Sequence, residues 1–140
     1  MPRIIENRAT DAITLAQAQE ALASRAFNPA DEDSLDHAAQ LLARLAADRG
    51  FLGDLMVAQL RDRHRDMAVE SGYGPQAIVL SPLRNGCFLR ANIWPSEQES
   101  CFHASGAKSF VYGVPHDHNF SFLTAGYFGP GYQSDYYEYD

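Results

Sequence analysis

Two histidines one residue apart, His116 and His118, are the strongest chemical signal in the sequence. Alternate residues of a strand point to the same side, so both imidazoles could reach a single point. Imidazole binds Fe, Ni, Cu and Zn, and it does so through an unprotonated nitrogen. The pair follows the strand-like stretch SFVYGV and lies among aromatic residues that would exclude water. The spacing predicts two metal ligands on one strand; the alternative is a pair of structural or surface histidines.

A mononuclear site needs at least one further ligand. His103 upstream and Glu138 downstream are the two candidates. Two histidines and one carboxylate with open positions form the ligand set of non-haem Fe(II) oxygenases. Asp117 falls on the opposite side of a regular strand, so its expected role is at most to orient the ligands.

The stretch GVPHDH resembles the first half of a cupin motif, in which a glycine precedes an HxH pair and a glutamate follows. The resemblance covers residues 111–140 and implies a small jelly-roll barrel that holds a metal between strands. Phe122 and Leu123 stand where the family glutamate usually lies, and no histidine follows His118. The resemblance therefore implies either a delayed glutamate at Glu138 or a site made of histidines without one. It also implies a chain truncated before the second motif.

Residues 1–72 have the pattern of a helical segment. Apolar residues recur at helical spacing in three stretches, with Thr10 or Asp11 as the expected cap of the first helix. Ser34 is the expected N-cap of the second helix and Gly50 its C-terminal glycine. A third helix is expected to follow directly and to end before Gly72.

Residues 73–140 have the pattern of strands. QAIVLS, GCFLRANIWPS, KSFVYGV and DYYEYD are short stretches rich in β-branched and aromatic residues, with turn residues between them. Asn85-Gly86 is a strong hairpin signal. The predicted fold class is α+β, with an N-terminal helical segment followed by a cupin-like antiparallel β-barrel half, a jelly roll that is either whole or truncated.

Four residues are candidates for contacts with a substrate. Arg90 and Asn92 share one side of a strand, and Arg90 could clamp a carboxylate if that side lines the barrel. The alternative is a solvent-facing pair. Tyr127 and Tyr132 flank a Gly-Pro-Gly turn, which is either a lid over the metal or a plain hairpin connection.

The net charge and the lengths of the apolar runs disfavour some classes of binding partner. The 140 residues carry a formal charge of −7, which argues against non-specific binding to nucleic acid or to an anionic membrane. No apolar run approaches the ~20 residues of a membrane helix, and the start lacks the apolar core of a signal peptide. Cys87 and Cys101 are expected to be free thiols. These features predict a cytoplasmic protein.

The leading hypothesis is a cupin-like metal-binding protein, a mononuclear non-haem oxygenase acting on a small molecule or an amino-acid side chain. The resemblance favours Fe(II), with Mn, Ni or Zn as alternatives. The second hypothesis is a non-enzymatic small-ligand or protein-interaction module. Because the set of strands is incomplete, we expect a homo-oligomer or a part of a longer chain.

Overall fold

The computed structural model describes residues 2–9, 11–62, 77–106 and 110–138. Helices α1 (Leu15–Ser24), α2 (Glu32–Ala47) and α3 (Phe51–Asp62) come first. Strands β1 (Ala77–Val79) and β2 (Arg90–Asn92) follow, and then a short helix, α4 (Ser100–Ser105). The mixed α+β class is therefore present. A barrel is not formed by this part of the chain, whose strands make one two-stranded sheet.

Helix α1 begins at a capping box. The Thr14 hydroxyl accepts a hydrogen bond from the Gln17 amide (3.2 Å), and the Gln17 side chain accepts one from the Thr14 amide (3.0 Å). This reciprocal pair satisfies two amide groups that the helix leaves without partners. The expected cap at Thr10 or Asp11 is wrong, because only Thr14 has a glutamine three residues later.

Asp31 is the N-cap of helix α2, and its carboxylate accepts a hydrogen bond from the Asp33 amide (3.3 Å). This start places acidic residues in the first turn, where the helix dipole favours them. The expected N-cap, Ser34, is instead a buried residue of the first turn, and its hydroxyl accepts from the Asn28 amide (2.9 Å). The C-cap of the helix is Asp48. Gly50 lies at the start of α3, where its carbonyl accepts a hydrogen bond from the Asp54 amide.

The core lies between α1 and α2. Four buried residues form it, and half-buried apolar residues from α1, α3 and the hairpin pack around them: Ile13, Ala18, Leu41 and Leu45, then Leu15, Ala21, Leu22, Phe51 and Leu89. Helix α2 starts at Glu32, and the side facing α1 carries Leu41 and Leu45.

The segment before α1 runs along α2 as an extended strap, defined here as residues 2–9 and 11–13. It contacts side chains that recur every four residues and so form one stripe on the helix: Glu32, Asp36, Gln40 and Arg44. At the end of the strap the Ile13 amide donates to the Arg44 carbonyl (3.2 Å), and the Ile13 side chain enters the core.

Charge pairing holds the start of the strap. Arg3 makes two hydrogen bonds to Glu32 (2.8 and 2.6 Å), and Arg8 pairs with Asp36 (2.6 Å). The Arg3 hydrogen bonds and charge hold the pKa of Glu32 below its ordinary value. A carboxylate with a lowered pKa stabilises the folded state above its ordinary pKa, and that contribution is lost as the pH falls through the folded value. Both groups are exposed, so solvent screening keeps the effect small.

The hairpin is formed as the Asn85-Gly86 pair predicts. Ile78 pairs with Ala91 in the antiparallel register, and Arg84 and Cys87 exchange two backbone hydrogen bonds of 3.0 Å. Asn85 and Gly86 both have positive φ values, 51° and 76°, which a tight turn of this hand requires.

The predicted strands after residue 106 are not formed by residues 110–138. Val111 and Gly113 have φ values of 63° and 67°, so the chain turns where KSFVYGV was expected to run straight. Phe110 and Tyr112 stack instead on Phe102 of the short helix α4, which the sequence analysis did not predict. Residues 135–138 of DYYEYD have no regular structure, and residues 139–140 lie outside the described part, as do residues 63–72 of the third expected helix.

Among the described residues, no helix has the length and apolar character needed to cross a membrane.

Leu45 tests how much of the stability rests on the α1–α2 contact. It is 2% exposed, so Leu45→Ala leaves a cavity in a core of few residues. We expect a loss of about 2–5 kcal/mol in the free energy of unfolding, measured by urea denaturation. The matched control is Leu83→Ala in the hairpin, a residue that is 70% exposed and should change the value by about 0.5 kcal/mol or less. Equal losses from the two variants would contradict this description of the core.

Candidate metal centre

His116 and His118 lie side by side. Their ring centroids are 4.9 Å apart and the ring planes are perpendicular (89°). The residues around them are not part of a strand, so the expected positioning by a strand is wrong. The two rings nevertheless lie together without a neighbouring strand.

A backbone contact sets the orientation of His116. Its Nδ1 lies 2.8 Å from the Val114 carbonyl oxygen. A carbonyl oxygen only accepts, so Nδ1 carries the proton and donates it. In the neutral ring the Nε2 lone pair is then free for another partner. Metal-bound histidines usually donate their other ring nitrogen to a carbonyl or carboxylate in this way.

Two phenylalanines border His118. The His118 ring contacts Phe122 edge-on and Phe120 at a tilt, each with a centroid distance of 5.1 Å. Both phenylalanines are about half exposed (53% for Phe120 and 52% for Phe122). The histidine pair is therefore accessible to solvent, with an apolar border on the His118 side.

The spacing of the rings fits a shared metal. A metal lies about 2.0–2.1 Å from each imidazole nitrogen, which puts two ring centroids on one metal roughly 4.5–5.2 Å apart. The observed 4.9 Å falls inside this range. The distance between the rings is therefore compatible with two imidazoles on one metal ion.

The other expected ligands do not join the pair. His103 lies on α4 with its ring edge-on to Phe102 (6.1 Å), and Glu138 is exposed near the end of the chain. In the part of the chain that the structure describes, no group of three or more His, Cys, Asp or Glu residues is placed to hold a metal. Of the expected ligands in the described residues, His116 and His118 are therefore the two that lie together.

Tyr127 and Tyr132 both make contacts within the fold. The Tyr127 hydroxyl donates to the Arg49 carbonyl (2.5 Å), and the Arg49 guanidinium donates back to the Tyr127 carbonyl and lies over its ring (5.4 Å). Tyr127 also packs edge-on against Phe51 at 5.2 Å. Tyr132 lies on Trp94 with a centroid distance of 5.1 Å. The rings therefore attach the end of the chain to α3 and to the loop after β2.

Arg90 and Asn92 lie on β2 opposite Val79 and Ala77. Arg90 is half-buried and Asn92 is exposed. Their expected role depended on a barrel interior, which the described residues do not enclose.

An aromatic cluster joins α4 to the loop after β2, and the sequence analysis did not identify it. Tyr112 is its centre, stacking on Phe102 (5.4 Å) and on Trp94 (5.9 Å) while its hydroxyl donates to the Pro95 carbonyl (2.7 Å). Phe110, which is buried, completes the cluster. The signal available in the sequence was the concentration of aromatic residues between positions 94 and 112, which was assigned to strands.

An open groove of about 350 Å³ lies between α1 and the hairpin. Its lining includes Glu20, Arg84 and Cys87, and Cys87 is a half-buried free thiol, as predicted. The Cys87 thiol lies 3.5 Å from the Arg84 carbonyl. The side chain of Cys101 lies outside the described part of the structure.

The chain matches no protein-family model, and comparisons with curated proteins and with solved structures likewise give no match. The cupin resemblance therefore stays a prediction from the GVPHDH stretch.

Tyr127 provides a test of how the end of the chain is attached. Tyr127→Phe removes the hydroxyl that donates to Arg49 and keeps the ring that packs on Phe51. We expect the free energy of unfolding to fall by about 0.5–1.5 kcal/mol in urea denaturation. Tyr137→Phe removes the same atom at an exposed position and should leave the value unchanged. If the two variants are equally stable, the Tyr127 hydroxyl does not help to hold the segment.

Proposed function

We propose that this protein binds one divalent transition metal through His116 and His118. The observation that carries the proposal is the paired arrangement of the rings at 4.9 Å, with His116 oriented by the Val114 carbonyl. A carbonyl-anchored imidazole presents its second nitrogen in the protonation state that a metal needs. The border of Phe120 and Phe122 lowers the polarity around the site.

The cupin-like form of the proposal is more specific. In it, the cupin-like stretch GVPHDH holds Fe(II), with Mn, Ni or Zn as alternatives, and the protein oxygenates a small molecule or an amino-acid side chain. A metal bound there would supply Lewis acidity and open positions for dioxygen or substrate. Glu138 would have to move toward the histidines to act as the carboxylate ligand. Without it, two imidazoles suit Zn, Ni or Cu as well as Fe.

A second candidate function is binding of another protein. It is favoured by the exposure of aromatic residues near the end of the chain, where Phe128 is 94% exposed and Tyr136 and Tyr137 are exposed as well. Exposed aromatic residues that occur together mark interaction sites more often than isolated ones do. In this alternative His116 and His118 are surface residues, and loss of either leaves metal content unchanged.

Calorimetric titration with Zn²⁺, and with Fe²⁺ under anaerobic conditions, tests the metal proposal on protein without a histidine tag. We expect His116→Ala and His118→Ala each to weaken metal binding by at least about tenfold. Loss of a residue that only hydrogen-bonds to a metal ligand already weakens binding by about this factor, and loss of the ligand itself should cost at least as much. His103→Ala is the matched control and should bind as wild type does. Glu138→Gln separates the cupin-like form, in which it weakens binding, from a site of histidines alone. Equal binding by wild type and the variants of His116 and His118 would refute the proposal.

Metal binding should also depend on pH. Protons compete with the metal for the imidazole nitrogens, so affinity should fall as the pH is lowered from about 7.5 to about 5.5. The measurement is the same titration at several pH values. A flat profile would indicate carboxylate ligands in place of the histidines, because carboxylates stay ionised over this range.

A further inference from the structure

We propose that a second copy of this chain completes the metal site, so that two His116–His118 pairs from two chains hold one metal ion. The inference rests on the proposed function and names the partner of the same site. Its starting point is the number of ligands. Structural zinc sites use four protein ligands, whereas the described residues bring two imidazoles together.

A twofold axis between two copies would supply the third and fourth ligands. In a symmetric dimer the same surface meets itself, so each residue placed near the axis is present twice. Two imidazoles per chain then become four around a metal on the axis, a set that suits tetrahedral Zn²⁺. The pair is exposed in the chain described here, so a second pair can reach it.

The residues beside the histidines suit such a contact. Phe120 and Phe122 are half exposed next to His118, and Val114 is exposed next to His116. On a twofold axis these apolar side chains would meet their own copies and lose contact with water. Burial of apolar surface would add to the metal–ligand bonds and would shield the metal from solvent.

Charge favours this surface over others. Each chain carries a formal charge of −7, so two copies repel one another. Between Lys108 and Asp135, however, Asp117 is the only Asp, Glu, Lys or Arg. Two copies of Asp117 bring two negative charges to the contact, and one divalent cation offsets both. A metal at the histidines thus removes the repulsion at the place where it also supplies the bonds.

The experiment is sedimentation equilibrium of the full chain at micromolar concentration, with Zn²⁺ or with EDTA, together with the measured zinc content. The expected result is a mass that doubles with Zn²⁺, one zinc ion per two chains, and reversal by EDTA. His118→Ala should stay monomeric with Zn²⁺, and His103→Ala should dimerise as wild type does. Phe120→Ser combined with Phe122→Ser keeps the ligands and should raise the dimer dissociation constant at least ~10-fold.

The outcomes separate this inference from the proposed function. One zinc ion per chain without a change in mass would overturn the shared site and leave metal binding by the pair intact. A dimer that persists in EDTA and in His118→Ala would also overturn it, because the contact would then need no metal. If no zinc binds to wild type, the shared zinc site fails, and if Fe²⁺ does not bind either, the proposed function fails with it.

Discussion

The contact between α1 and α2 is the interaction on which the other elements depend. It is small, with Leu41 and Leu45 of one helix closing over Ala18 of the other and over Ile13 of the strap. Every neighbouring element reaches this contact with at least one side chain. Leu89 of the hairpin and Phe51 of α3 pack against the buried residues, and Ile13 at the end of the strap is one of those residues.

Polar contacts then fix the hairpin against α1. The Gln19 side chain donates to the Leu80 carbonyl (2.6 Å), and the Asn85 side chain donates to the Ala23 carbonyl (3.2 Å). These bonds join residues that are 61 and 62 positions apart in the chain, and they connect the hairpin directly to α1. Asn85 therefore has two roles, since it also adopts the positive φ that the turn needs.

The end of the chain is attached by aromatic rings more than by backbone hydrogen bonds. Tyr127 packs on Phe51, Tyr132 on Trp94, and Tyr112 between Trp94 and Phe102. The histidine pair lies between these attachment points, in a segment that no strand supports. Its local order comes from the Val114 carbonyl and from Phe120 and Phe122. This segment has one side open to solvent, and the proposed second copy would bind at that side.

The sequence by itself determined the features that depend on neighbouring residues. Helical periodicity placed α1, α2 and α3, Asn85-Gly86 placed the hairpin, and the HxH spacing brought two imidazoles together. Each follows from backbone geometry over a few residues. Tertiary structure decided the rest. Phe110 and Tyr112 have strand-like sequence but stack on α4, because burying rings there outweighs a weak local preference. Tyr127 contacts Arg49, which is 78 positions away in the chain, and Glu138 does not join the histidines. Contacts of this kind depend on how distant segments pack against one another. Spacing along the sequence does not encode those contacts.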